Sequence, residues 1–97
     1  MDVQRSLRTV FASGKVRVGA DQTQKAIRDG EAKLVIVATN CVAGDLIRAA
    51  ASKNRIPVYA FDGMGTQLGP ACGKPFAISA LAVLEAGESD ILQLSKA

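Results

Sequence analysis

The residues best placed to do chemistry stand in one short run, Val18-Gly19-Ala20-Asp21-Gln22-Thr23-Gln24-Lys25. It reads as a strand end, a glycine corner and a helix start, and such a corner presents free backbone N–H groups beside a lysine, a ready site for a phosphate oxygen. Asp21 and Gln24 are most simply helix caps, three residues apart as in a capping box. Lys25 is read as lying on the first turn, where a cation meets the unfavourable end of the helix dipole and an anionic ligand reverses the penalty. Thr39 and Asn40 follow a buried apolar run and offer short polar groups beside the same corner, although a simple turn also explains them.

A second group, Gly63, Gly65, Gly69, Gly73 and Lys74, suggests a phosphate-binding loop but has the wrong spacing. Gly69 and Gly73 are four apart where the glycines of a P-loop are five apart, and Pro75 follows Lys74 where a P-loop needs Ser or Thr. Phe76 follows and has two readings. It is either a core residue or a flat apolar surface on which an unstacked base rests, the second favoured by its Gly-Lys-Pro lead-in and worth ~1–3 kcal/mol to binding. With four aromatic residues in all, a broad stacking platform is not available.

Other chemistries are narrowed by composition. The chain has no histidine, which removes the commonest general base, the usual serine or cysteine triads and most zinc sites. Cys41 and Cys72 are far apart and read as two reduced, structural thiols. No metal or cofactor is implied and catalysis is not expected, although carboxylate or lysine chemistry stays open. The net charge of +3 permits a nucleic-acid partner without demanding one, and its distribution is uneven: residues 1–84 carry eleven Lys or Arg against six acids, whereas Glu85, Glu88 and Asp90 cluster near the end. That acidic group marks a face turned away from phosphate.

The 97 residues suffice for one core burying somewhat over ~60% of the unfolded surface, so a single domain spanning 1–97 and a stable monomer are expected. Hydrophobic content of 48% suits a folded globular chain, no apolar run approaches the ~20 residues of a membrane helix, and Met1-Asp2-Val3-Gln4-Arg5 lacks a secretory pattern. A soluble, cytoplasmic protein is the expectation.

Val3, Leu7, Val10 and Phe11 share one helical face and predict a helix over 2–13 capped by Gly14. Lys15 to Val18 alternates as a short strand, a second helix capped by Asp21 stops at Asp29-Gly30, and Ala32 to Ala38 is a strand buried on both faces. Asp45 caps a third helix to about Asn54. Val58 to Phe61 is a strand, Thr66 to Cys72 a short helix in which Pro70 is tolerable only in the first turn, and Phe76 to Leu84 a last strand. Gly87-Glu88-Ser89-Asp90 leads into a terminal helix with Ile91, Leu92 and Leu94 on its apolar face. Strict alternation of helix and strand implies a sheet between helical layers, with ligands outside the strands' carboxyl ends, where loops 19–25, 39–45 and 62–76 converge.

The segment from Gly19 to Asn40 resembles the RNA-binding segment of the ribosomal protein seven-Ae superfamily, whose members recognise kink-turn and related bent RNA motifs. Leu68-Gly69-Pro70-Ala71-Cys72-Gly73-Lys74-Pro75-Phe76 and Leu84-Glu85-Ala86-Gly87-Glu88-Ser89-Asp90-Ile91-Leu92 are similar to its thirty-e branch, found in the large ribosomal subunit of archaea and eukaryotes. The resemblance covers essentially the whole chain. It implies an α/β fold, a three-layer α/β/α sandwich around a mixed four-stranded sheet, without enzymatic activity and with ribosomal RNA and other large-subunit proteins as partners. It also implies RNA contacts by Gly19, Gln22 and Lys25 at the corner, by Asn40 in a second region, and by Gly73, Lys74 and Phe76 in a third. Asp21 departs from the family pattern, since a carboxylate repels phosphate, and is assigned to capping. A guide-RNA particle protein of the same superfamily is the rival within it, marked by Asn-Glu where this chain has Asp21-Gln22. A small nucleotide-binding enzyme and a protein–protein adaptor stand further off.

Overall fold

A computed structural model of the chain describes residues 3–87, 89, 91 and 92. Helix and strand alternate throughout: α1 (Val3–Ser13), β1 (Lys15–Val18), α2 (Ala20–Arg28), β2 (Leu34–Val37), α3 (Gly44–Lys53), β3 (Val58–Ala60), α4 (Gly65–Ala71) and β4 (Ala80–Glu85). The strands form one sheet in the order β1-β4-β2-β3, with β2 parallel to β3 and β4 antiparallel to both its neighbours. The sheet is therefore mixed, and β1, β2 and β3 all run in one direction. Their carboxyl ends share one edge with the amino end of β4.

Side-chain alternation on the two central strands separates the layers, because successive residues of a strand face opposite sides. Leu34 and Ile36 of β2 and Leu81 and Val83 of β4 pack against Leu7 and Val10 of α1 and Leu68 and Ala71 of α4. Val35, Val37, Ala80 and Ala82 face the other way, onto Ala26 and Ile27 of α2 and Ile47 and Ala51 of α3. The expected α/β/α sandwich is thus present, α1 and α4 on one face and α2 and α3 on the other. Alanine at 80 and 82 leaves room for α2 to lie close to the middle of the sheet.

Several boundaries differ from those read in the sequence. The last strand begins at Ala80, not Phe76, because residues 76–79 first cross over α4: the carbonyl of Phe76 lies where a side chain at Gly69 would stand, and the Ile78 N–H donates to the Gly65 carbonyl at 3.0 Å. Ile78 is buried in the core cluster that α4 shares, while Phe76 is half exposed. Asp21 and Asp45 are not N-caps. Gly19 and Ala43 hold those positions without a side-chain cap bond, and both aspartates sit in the first turn, where the helix dipole favours them. A Gln at the third position does reach back in α4, where Gln67 Oε1 accepts from the Met64 N–H at 2.8 Å.

Helix α4 runs from Gly65 to Ala71, and Pro70 lies in its last turn rather than its first. The cost is small there, since only the Thr66 carbonyl loses a partner and the exposed ring faces solvent. Gly14 does not adopt a left-handed cap either. It is needed for space, since the Glu85 carbonyl occupies the place of its missing Cβ. The expected helix start at Asp2 and the terminal-helix residues Glu88, Asp90 and Leu94 lie outside the described residues. Within them, Ile91 is fully buried among α1 and α4, and Ser89 Oγ donates to the Ser6 carbonyl at 2.7 Å.

Candidate nucleic-acid interface

The corner at Gly19 is built by backbone conformation. Gly19 has φ 101° and ψ 155°, a region that side-chain-bearing residues avoid, while a Cβ there meets nothing within 4 Å. The constraint is torsional rather than steric. Its N–H donates to Ala80 at 2.8 Å, tying the corner to the start of β4, and its carbonyl accepts from both the N–H and the Oγ1 of Thr23, at 2.9 and 2.7 Å. Thr23 is buried under α2 and was not singled out in the sequence, although its place on the helix's apolar face with Ala26 and Ile27 is the signal that it points inward. With no side-chain cap, the first N–H groups of α2 remain open to a ligand.

Asp21, Gln22 and Lys25 are exposed and share the outer face of α2 at helical spacings of three and four. Lys25 stands sixth in a nine-residue helix, nearer its carboxyl end. The dipole penalty expected for a first-turn lysine is therefore absent, and its placement rests on the shared face with Gln22 alone.

The second loop is fastened to the third by hydrogen bonds. Thr39 gives both its N–H and its Oγ1 to the Gly63 carbonyl, each at 2.9 Å, which is the turn role. Asn40 Oδ1 accepts from the Gly65 N–H at 2.8 Å, so a side chain from the β2 loop caps the first turn of α4. That bond uses the acceptor end of the amide. Among the described residues its two Nδ2 donors have no partner, and the residue is exposed.

Between these loops lies a groove of about 350 Å³ lined by Ala20, Asn40, Val42, Thr66, Ala77 and Ser79 among others. The sequence reading missed Thr66 and Ser79; Thr66 stands in the first turn of α4, and the crossing of residues 76–79 is what brings Ser79 beside it. Every large hydrophobic side chain that is well exposed among the described residues stands on the segments around this edge: Val42, Leu46, Met64 and Phe76, the last at 52%. Packing does not account for this concentration. Phe76 is thus not the core residue of the first reading.

Gly73 and Lys74 are placed elsewhere. Helix α4 carries the chain from the sheet edge down to α1, where the Gly73 backbone lies against the stem of Arg8, 3.8 Å from the position of its missing Cβ. Lys74 Nζ sits 5.2 Å from the centre of the Phe11 ring, a cation–π contact. The structure therefore brings Gly19 and Asn40 to the edge, leaves Gln22 and Lys25 on the outer face of α2 with Lys25 toward its far end, sets Phe76 beside the edge on the return path, and puts Gly73 and Lys74 on the flank. Both cysteines are free: Cys41 is half-buried in the lining of the groove, whereas Cys72 is buried, and that burial pushes its thiol up to about 12 against the opposing effect of the Lys74 charge. No group of three or more potential metal ligands occurs among the described residues.

Comparison with known proteins gives this geometry its context. The chain is 48% identical over 96 residues to the large ribosomal subunit protein eL30 of Methanospirillum hungatei, covering 99% of this chain and 100% of that one. It is 45% identical over 92 residues to the eL30 of Methanosarcina mazei, 95% and 87% covered, and 44% identical over 94 residues to that of Tetrahymena thermophila, 95% and 90% covered. The names of these relatives are those of ribosomal proteins, not of enzymes, in agreement with the absence of catalysis expected from the sequence. Residues 1–93 match one family along almost their whole length, and the chain belongs to it: the ribosomal protein L7Ae/L30e/S12e/Gadd45 family.

Proposed function

We propose that this chain is a structural constituent of the large ribosomal subunit, where it binds a bent, kink-turn-like motif of ribosomal RNA and lies beside other large-subunit proteins. Gly19, Gln22, Lys25 and Asn40 contact the RNA at the sheet edge, Phe76 supplies an apolar surface for an unstacked base, and Gly73 and Lys74 contact it from the flank. The free protein is a single-domain monomer of the cytoplasm that joins the ribosome. The observation that carries the reading is the union, at one sheet edge, of an uncapped helix start, a groove with free amide donors and exposed apolar side chains.

Each part answers a feature of bent RNA. A sharp bend brings phosphates together and turns bases out of the stack, so a compact protein reads it by shape, with few charges and a small apolar surface. The α2 N–H groups suit a phosphate oxygen, the Asn40 donors suit a base edge, and the groove is large enough for an unstacked base. A net charge of only +3 then suffices. Filter binding near physiological salt tests the reading against a matched duplex of equal length. The bent RNA is expected to bind at least about tenfold more tightly, and equal affinities refute the proposal.

A further inference from the structure

We infer that α1 forms a second nucleic-acid contact, in which Arg8 and Lys74, the latter held by Phe11, bind phosphates of the RNA arm leaving the bend. The inference rests on the RNA-binding reading above and extends it to a helix that the sequence reading treated purely as core. Four observations support it. The stem of Arg8 packs on Gly73, so an α1 cation and the α4–β4 loop occupy one surface. Lys74 Nζ lies over Phe11, one turn along α1 from Arg8, which places two cations side by side on the flank. Neither takes part in an ion pair among the described residues, where Arg48 with Asp45 is the one pair within 4 Å.

The fourth observation concerns the backbone. The Gly73 N–H donates to Pro70 and the Lys74 N–H to Gly69, at 2.9 and 3.0 Å, closing the end of α4. These amides cannot also cradle an anion. Affinity at this surface must come from the two side-chain charges, which act as separate phosphate contacts rather than as a loop that encloses one. The direction follows from the fold. Chain 73–77 runs from the flank past half-exposed Phe76 back to the sheet edge, so a strand whose base rests on Phe76 continues naturally over Arg8. Phe11 is then a positioning residue. Its ring fixes the Lys74 ammonium while its inner side packs on the α1–α4 core.

The test uses the full chain and two bent RNAs that share the internal loop but differ in the length of one arm. Arg8→Gln is expected to weaken binding to the long-arm RNA several-fold and to reduce the salt slope by about one, as for a single lost phosphate contact. On the RNA with that arm truncated, Arg8→Gln and wild type are expected to bind alike, whichever arm serves. An unchanged slope on the long-arm RNA, or an equal loss on both RNAs for either choice of arm, overturns the inference. Phe11→Leu keeps an apolar side chain in the core, and thermal unfolding reports whether the variant is folded. In the folded variant, adding Lys74→Ala is expected to change affinity less than it does in wild type, and undiminished loss contradicts the positioning role. If the wild type itself fails to prefer bent RNA over duplex, the underlying reading fails instead, so the two failures are told apart.

Discussion

The two ends of the sheet are built from different materials. At the end opposite the groove, the chain closes on itself through backbone crossings: Gly14 passes the Glu85 carbonyl, and Gly87, at φ +59°, passes Ser13 so closely that a Cβ there meets its backbone. Charged side chains, Lys15, Lys33, Glu31 and Glu85, surround that closure in solvent. At the groove end the crossings also exist, as Phe76 over Gly69, but the side chains left in solvent are apolar. Natural surfaces seldom gather their large hydrophobics at one place without a partner. The contrast teaches that similar tight backbone geometry serves closure at one end and presentation of a binding surface at the other.

A pair of glycine substitutions breaks the comparison most forcefully. Gly14→Ala and Gly69→Ala each put a methyl group onto a carbonyl oxygen, of Glu85 and of Phe76, and each is expected to cost about 3 kcal/mol, the upper range for overpacking, because backbone cannot rotate away. Chemical denaturation gives both values. Their effects on RNA binding are expected to diverge: the folded fraction of Gly14→Ala binds as wild type, whereas that of Gly69→Ala binds weakly because the Phe76 segment is displaced. Equal binding by the two folded fractions would remove the distinction between the ends.

Phe76→Ala sharpens the same contrast without moving the backbone. Phe76 is 52% exposed, so its truncation is expected to change stability by no more than ~0.5 kcal/mol, where a buried phenylalanine loses about 3–5 kcal/mol. Binding to bent RNA is expected to fall by ~1–3 kcal/mol if a base rests on the ring. Unfolding curves and filter binding on one preparation decide it. A large stability loss with intact affinity of the folded fraction counts against this assignment.

Asn40→Ala probes the joint between loops. It removes the bond that caps α4 from the β2 loop and is expected to cost about 1 kcal/mol of stability, typical of a lost N-cap. Asn40→Asp keeps the acceptor, restores that stability and withdraws the amide donors. If the donors read the RNA, Asp restores folding without restoring affinity. Recovery of both by Asp assigns Asn40 to structure alone.

Much of this arrangement was legible in the residues. The layered fold followed from strict alternation and from the apolar run before Thr39, because burial on both faces leaves no other place for such a strand. The resemblance of Gly19–Asn40 and of the later segments pointed to the family to which the chain belongs. What the sequence concealed was geometry set by close approach. The crossing over Gly69 turned an apparent strand start into a loop, and helix caps two residues earlier displaced both aspartates from that position. Lys74 was placed with the edge loops because chain proximity to Phe76 is visible and the length of α4 in space is not. Its partner Phe11 lies sixty-three positions earlier in the chain, a separation across which no local pattern carries information.

The smallest expected effect belongs to Lys25, and it tests how far the edge extends down α2. Lys25 is exposed in the carboxyl-terminal half of the helix, free of ion pairs among the described residues, so Lys25→Ala leaves folding nearly unchanged. If the residue meets one phosphate, the mutation weakens all kink-like RNAs about equally and lowers the salt slope by roughly one. Because the side chain stays in solvent when free, affinity falls by only a few-fold near physiological salt, and the slope is the more sensitive readout. A wild-type slope confines the edge surface to the Gly19 corner and makes Lys25 a solvated helix residue. A slope reduced by about one in Lys25→Ala and by about two when Arg8→Gln is added counts the phosphate contacts of edge and flank separately, since contacts on different faces of the protein add independently.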